Sequence, residues 1–295
     1  MRGLYIMLKK LFLFIAFILV SAVSAADEAK NGVIFTYPEW KMKALSFSYD
    51  DANIADRQLV AIFNKYGMKG TFHIPSAWLK NKPENRIAES EINKLYKGHE
   101  ISGHGANHLA LATLPADIVD AEIKADIKEW KRITGKNITG YAYPYGSYSE
   151  SVVKVLKDNG LIYARPTGNS MKFDLPENFL IWKAYSHHNS KIADAAAKYL
   201  AFKSGKMSVL LIWGHSYEFA RQKNWNIIED FCRKMSGKDD IYYAAMGEIA
   251  SYVNACRSVT FSKDGRRMKN NSNLKLFFIK NNKKMTVLPN SECEL

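Results

Sequence analysis

Apolar positions along most of this chain switch between two spacings. Residues 44–49 suit a strand that ends in acids, and Ile54, Leu59, Ile62 and Phe63 then recur at helical spacing over 54–66. The same change repeats: strand over 70–74, short helix over 89–97, strand over 99–103, long helix from Pro115 to about Thr134. In that long helix Ile118, Ile123, Ile127 and Trp130 lie close to one face. A strand over 137–143 precedes a helix over 150–159 that stops at Gly160. Strands over 162–165, 180–185, 209–213 and 241–244 alternate with helices over 192–204, 225–235 and 248–254. Repeated strand–helix units predict a parallel sheet with right-handed crossovers. About seven of them suit a (β/α) barrel better than a small open sheet, and a barrel carries its chemistry at the carboxyl ends of its strands.

Both ends depart from this pattern. Arg2, Lys9 and Lys10 precede an apolar run over 11–20, and Ser21-Ala22-Val23-Ser24-Ala25 supplies small residues for cleavage. That is the form of a secretory signal peptide, 1–25, and the run is short for a bilayer span of ~20 residues. No cysteine follows it, so a lipoprotein is not indicated. The expected protein is therefore exported, periplasmic or extracellular. A short strand over 33–36 follows, within the 26–255 barrel region. After Cys256, strands over 258–261, 274–279 and 284–288, with a turn at Asn281-Asn282, predict a small β appendage over 256–295.

Composition adds little to fold and more to partners. The 295 residues are 47% hydrophobic and 24% charged, which is ordinary globular usage and not disorder. Cleavage of 1–25 lowers the net charge from +13 to +10. A basic exported protein is drawn to anionic envelope surfaces, and export argues against nucleic acid. Cys232, Cys256 and Cys293 permit at most one disulfide, match no zinc spacing and carry no catalytic role. A Cys232–Cys256 bridge is permitted by the compartment.

Candidate chemistry sits just past strand ends. Asp50 and Asp51 end the first barrel strand, where alternation points adjacent carboxylates apart. One can then bind a cation while the other stays free as a base, although adjacent acids also serve as turns and caps. His104 and His108, four apart on a helical turn, present ring nitrogens to one point. With one carboxylate they form a two-His, one-Asp face that leaves open positions for water and substrate. Other candidates read more plainly: His73 as core or beside the site, His187-His188 as a solvated loop, and Glu218 as a helix-start acid that could bond near His215. Among the tryptophans only Trp213, beside His215, is a candidate for stacking on a sugar.

Ser48-Tyr49-Asp50-Asp51 resembles the Thr-Phe-Asp-Asp segment of the polysaccharide deacetylase family, the NodB-type carbohydrate esterases. His104-x-x-x-His108 is similar to that family's second motif, and Tyr141-Ala142-Tyr143-Pro144-Tyr145-Gly146 to its third. Leu210 through His215 resembles the late apolar strand that ends in the family's catalytic histidine. The ordered set spans roughly 44–254 and implies an irregular (β/α) barrel. It also implies that Asp51, His104 and His108 bind a divalent metal, zinc first, with Co2+, Mn2+, Ni2+ or Fe2+ as alternatives. Asp50 would be the base, the Tyr145 backbone N–H part of the oxyanion site, and His215 the acid. One departure stands out. Family members commonly carry an arginine in the third motif that pairs with the catalytic aspartate, and Ala142 occupies that position here. Arg165 is either its replacement or an ordinary structural arginine.

The expected function is removal of N-acetyl groups from the amino sugars of a polysaccharide or oligosaccharide, of the peptidoglycan, chitin or poly-N-acetylglucosamine type. An O-acetyl esterase or an amidase of a small C–N substrate would use the same site. A non-catalytic carbohydrate-binding envelope protein is the third reading, favoured only by the loss at Ala142. The pattern leaves the oligomeric state open.

Overall fold

The computed structural model describes residues 30–81 and 84–295. The expected signal segment, 1–25, lies outside the described residues. Among the described residues no helix is long and apolar enough to cross a membrane.

The chain divides into two compact units: Lys41–Val253, and the stretch ending at Trp40 together with Asn254–Leu295. Residues 30–40 thus go with the C-terminal segment rather than with a 26–255 region. Strand pairing is the reason. β1 (Val33–Thr36) runs antiparallel to β12 (Leu276–Lys280), which pairs in turn with β13 (Lys283–Val287). Asn281 and Asn282 sit at φ 51° and 61°, the backbone that a two-residue hairpin loop requires. A second small sheet orders β10 (Thr260–Phe261), β11 (Arg267–Lys269) and β14 (Glu292–Glu294). Hydrophobic patterning does not mark β11 or β14, because each is a three-residue strand with charged ends around one apolar centre, Met268 or Cys293.

The larger unit holds eight strands: β2 (Lys43–Asp50), β3 (Gly70–Ile74), β4 (Glu100–Gly103), β5 (Gly140–Ala142), β6 (Tyr163–Arg165), β7 (Ser186–His187), β8 (Ser208–Gly214) and β9 (Ile241–Tyr243). Their order is β6-β5-β4-β3-β2-β8-β7, with β9 also beside β2, and every pairing is parallel. This is the curled, mostly parallel sheet with helices expected of an irregular (β/α) barrel. β2 is buried along its whole length. It pairs with β8 along one edge, and along the other with β9 at Lys43–Leu45 and then β3 from Phe47. A parallel strand covered on both faces has no solvent side, so the serines that alternate with Leu45, Phe47 and Tyr49 are buried as well, Ser48 accepting from Arg165.

Helices close over this sheet by aromatic packing. Phe47 meets Phe63 of the helix Asp56–Lys65 at 4.5 Å and Phe231 of Asn226–Met235 at 5.8 Å between ring centroids. Trp130 of the helix Ala116–Thr134 is fully buried and donates its indole N–H to the Ile74 carbonyl at 3.2 Å. The expected strand over 180–185 is instead a single 3-10 turn, Phe179–Ile181, leading to the two-residue β7. Its apolar residues are buried ring against ring, with Trp182 edge-on to Phe179 and Tyr163, and not by strand alternation. The short helix Ser216–Gln222 was not marked by periodicity.

At the start of β5 a side chain has no room. A Cβ on Gly140 would meet the Tyr163 ring at 1.8 Å, and Tyr163 is itself fully buried and bonded to Ser102 at 3.1 Å. Gly140→Ala is therefore expected to destabilise the fold toward the upper end of roughly 1–3 kcal/mol, the usual scale of overpacking. Gly205→Ala, where a Cβ meets nothing within 4 Å, is expected to leave stability unchanged. Urea midpoints at constant slope measure both, and equal midpoints for the two variants would contradict the packing argument.

Candidate active site

Two loops at the carboxyl ends of β2 and β4 build the centre. β2 ends on Asp50, and the chain turns at once, with Asp51 at φ 82° and Ala52 at φ 47°. The Asp51 N–H donates to the His73 carbonyl at 3.0 Å. A turn, rather than strand alternation, therefore separates the two carboxylates. Nor is the His104–His108 segment a helical turn. It is an irregular loop past β4, with Gly105 at φ 76° and His108 at φ 60°. Two acids one turn apart on the helix Ala116–Thr134 hold it. Asp126 accepts the His104 N–H at 3.0 Å and the Ser76 N–H at 3.3 Å. Glu122 accepts the backbone N–H of Asn107 at 2.5 Å and its side-chain amide at 2.8 Å. Burial pushes the Asp126 carboxyl up to about 7.

Asp51, His104 and His108 come together with one donor atom each, all within 4.8 Å of one another. Asp51 Oδ1 lies 3.8 Å from the Nε2 atoms of both His104 and His108. Donors on one tetrahedral metal at bond lengths of ~2.0–2.2 Å would stand roughly 3.4 Å apart, so small adjustments bring this set to a cation. Asp51 Oδ1 is buried and accepts no hydrogen bond from the described residues. His104 Nδ1 faces the Ala142 carbonyl at 2.8 Å. The proton must sit on that nitrogen, since a carbonyl can only accept, and Nε2 is left with its lone pair toward Asp51. The donor set fits a divalent metal.

Asp50 faces the same centre. Its Oδ2 stands 4.0 Å from both His104 Nε2 and His215 Nε2. Arg165 is fully buried at the end of β6 and bonds Asp50 Oδ2 through Nη2. Its Nε donates to Ser48 at 2.7 Å and its Nη1 to the Pro166 carbonyl at 3.3 Å. Burial alone would raise the Asp50 carboxyl, but Arg165, then His104, hold it well below the usual carboxylate range. Arg165 and Ala142 are register partners on neighbouring strands. The guanidinium thus starts from the same level of the sheet as Ala142, one strand over. Trp213 lies under that guanidinium, 4.7 Å from ring centroid to Cζ, and donates to Asn169 at 3.1 Å, so its ring is not a free platform for a sugar. His73 is buried next to Asp50 in the register, and burial pushes it down to about 3, which keeps it neutral.

His215 follows β8 and is anchored by Glu218, whose Oε1 lies 2.8 Å from its Nδ1. The other oxygen of Glu218 meets His188 Nε2 at 3.1 Å and His187 Nε2 at 3.3 Å. His187 and His188 are not a solvated loop: His188 is fully buried, stacked on Phe219 and lying against Gly214, and His187 is half-buried. One carboxylate therefore stands within 3.3 Å of three imidazoles and is hydrogen-bonded to that of His215. The sequence cue was available, since Glu218 is one helical turn past His215, but nothing in the pattern brings β7 beside β8. Burial would lower the His215 pKa, yet the Glu218 bond, with Asp50 and Asp51, leaves it raised. Tyr145 lies between Pro144 and Gly146 at φ 58°, with its ring 4.6 Å from that of His108 and largely exposed. The three cysteines form no disulfide with one another.

With this geometry in place, three comparisons bear on the chain. Residues 39–164 match the family profile described as polysaccharide deacetylase. The chain is 28% identical over 123 residues to peptidoglycan-N-acetylmuramic acid deacetylase PdaA of Bacillus subtilis, which is 41% of this chain and 45% of that protein. It thus spans about half the length of that curated relative. Among solved structures, a protein from Mycobacterium smegmatis described as a polysaccharide deacetylase superposes with a TM-score of 0.57 at 18% identity, covering 75% of this chain and 93% of that one. The Xyl-CE4 domain of a multidomain xylanase from the hindgut metagenome of Trinervitermes trinervoides gives 0.50 at 14% identity, over 73% of this chain and 92% of that one. These likenesses establish the fold.

The site yields two expectations. Zinc added to the purified chain should be retained at about one equivalent after dialysis and lost in His104→Ala; unchanged metal content in that variant would rule out this donor set. Glu218→Gln should lower the His215 pKa, because a neutral amide no longer favours the imidazolium. Imidazole NMR titration measures this, and an unmoved pKa would show that Glu218 does not set the histidine's charge.

Proposed function

We propose, from the match of residues 39–164 to the polysaccharide deacetylase profile, that this chain is a metal-dependent hydrolase releasing acetate from N-acetylated amino sugars of a polysaccharide. The observation that carries the reading is the buried Arg165–Asp50 pair beside the Asp51, His104, His108 donor set. An ionised carboxylate next to a cation site suits water activation better than sugar binding alone. Asp51, His104 and His108 would hold a divalent metal, zinc first. When bound, it supplies Lewis acidity toward an acetyl carbonyl and a water of lowered pKa.

The remaining chemistry belongs to the chain's own side chains. Asp50 takes the proton of the attacking water, and Arg165 keeps that carboxylate charged and aimed. The Tyr145 N–H, in a turn set by Gly146 N–H to Tyr143 O at 2.8 Å, donates to the oxyanion that develops on the former carbonyl. His215 gives its proton to the departing amine as the C–N bond breaks, leaving acetate and a free amino sugar. Glu218 fixes Nδ1–H inward, so Nε2 is the nitrogen that faces Asp50 and the substrate. Acid and base are thus separate groups, as hydrolysis near neutral pH requires. The reading includes export through the 1–25 signal, which rests on the sequence pattern and predicts a mature amino terminus at Ala26.

Acetate release from chitin oligomers, peptidoglycan, poly-N-acetylglucosamine and acetyl-xylan tests the proposal. Release is expected from at least one N-acetylated polymer, with Asp50→Asn slower by about 10²–10⁴-fold, the scale of a lost general base. No release from any polymer by the metal-loaded chain, or full activity in Asp50→Asn, would sink it.

A further inference from the structure

Six arginines lie in the unit Lys41–Val253. Four are ion-paired: Arg57 with Glu91, Arg132 with Glu89 and Glu129, Arg165 with Asp50, and Arg233 with Asp230. Arg86 and Arg221 form no such pair among the described residues. Both of them line the same cavity of about 470 Å3, whose other charged lining residues are Glu84 and Asp51, the carboxylate of the candidate metal donor set. That size falls in the ~300–1,000 Å3 range of small-molecule sites.

Neither guanidinium is held in an ion pair, although Arg86 is near enough to the buried Asp56 carboxyl to offset part of the rise that burial gives its pKa. Arg86 lies over the Trp78 ring at 4.7 Å, and Arg221 over Tyr217 at 5.8 Å. Stacking on an aromatic face restrains a guanidinium while leaving its N–H edge available for a planar anion. Arg86 Nε is buried and donates to no described residue. Its backbone is tied to the Asp51 loop on either side, by a bridge to Asn53, by Ile54 N–H to Asn85 O at 3.1 Å and by Ile87 N–H to Ala52 O at 2.9 Å. The charge is therefore fixed relative to Asp51. Glu84 also lines the cavity but is exposed, where water screens it, and it does not reach ion-pairing distance of either arginine.

We infer that this cavity takes a carboxylate carried by the sugar polymer close to the acetylated position, with Arg86 and Arg221 as the residues that select it. The inference rests on the deacetylase reading for the identity of the polymer, not for the anion site itself. Arg86 Nε is a buried donor with no acceptor among the described residues, which an anion of the substrate would complete, and Arg221 stands on the same cavity. A neutral homopolymer would leave both arginines to water. An acidic one, with a lactyl ether on the amino sugar or a uronic acid next to it, would engage a planar carboxylate by paired N–H donors.

Equilibrium binding to the full chain, in wild type and in Asp50→Asn, tests this without requiring turnover. The probes are short N-acetylated glycan strands bearing the lactyl carboxylate, the same strands with that carboxyl reduced to an alcohol, oligosaccharides with a neighbouring uronic acid, and chitin oligomers. An acidic probe should bind about 10- to 100-fold more tightly than its reduced or neutral counterpart, the scale of charge-assisted hydrogen bonds. Which acidic probe shows the preference identifies the source of the carboxylate. Arg86→Gln and Arg221→Gln should each cut that preference and leave chitin-oligomer affinity unchanged. Arg221 is exposed, so its variant is not open to the objection of misfolding. Equal affinity for acidic and neutral probes, no binding of any probe, or a preference untouched by both substitutions would overturn the inference. A preserved preference without acetate release from any polymer would instead count against the deacetylase reading alone.

Discussion

A buried ion pair between the edge strand and the central strand governs the shape of the larger unit. β6 and β2 stand four positions apart in the sheet order, with β5, β4 and β3 between them. In a flat sheet that separation is about 19 Å, four spacings of ~4.8 Å, far beyond the reach of one arginine. Arg165 nevertheless bonds both Ser48 and Asp50 of β2. The sheet has to curl for this contact to exist, and curling is what brings the loops after β2, β4, β5 and β8 to one place. Two charges out of water are expensive unless their remaining donors and acceptors are met. Here Ser48 and the Pro166 carbonyl take two further N–H donors of the guanidinium and Trp213 covers its face, while Asp50 Oδ1 accepts no hydrogen bond from the described residues.

The same pair explains what the sequence could and could not reveal. Strand and helix positions in the larger unit were legible because period-2 and period-3.6 patterns are local. The grouping of Asp51, His104 and His108 was legible too, although the histidine spacing was assigned to a helical turn. A spacing of four also fits a loop whose Gly105 and His108 adopt left-handed backbone, and nothing local distinguishes the two. Arg165 could be named as a candidate but not decided, because its partner lies 115 residues away across the curled sheet. The cluster around Glu218 was hidden for a similar reason. His187 and His188 meet it only because β7 pairs with β8. Their burial depends on that pairing and on Phe219 and Gly214, none of which shows in composition.

Elsewhere short elements escaped for want of periodicity. β11 and β14 have three residues each, too few to repeat anything. The strand at Val33–Thr36 was legible as a strand, but not as a partner of β12, since antiparallel pairing between chain ends leaves no mark in either segment. Where aromatic residues are dense, as over 179–182, apolar content alone does not discriminate a strand from a tightly packed turn.

The register between Ala142 and Arg165 has a wider consequence. At position 142 the main chain serves the histidine pair, its carbonyl holding the His104 proton, while the side chain does nothing polar. At position 165 the side chain serves the carboxylate. Main-chain and side-chain duties at this level of the sheet are therefore separable: the backbone at 142 holds the histidine while the next strand supplies the guanidinium. Lateral neighbours in the hydrogen-bonded ladder, and not spacing along the chain, thus decide which side chain reaches the carboxylate.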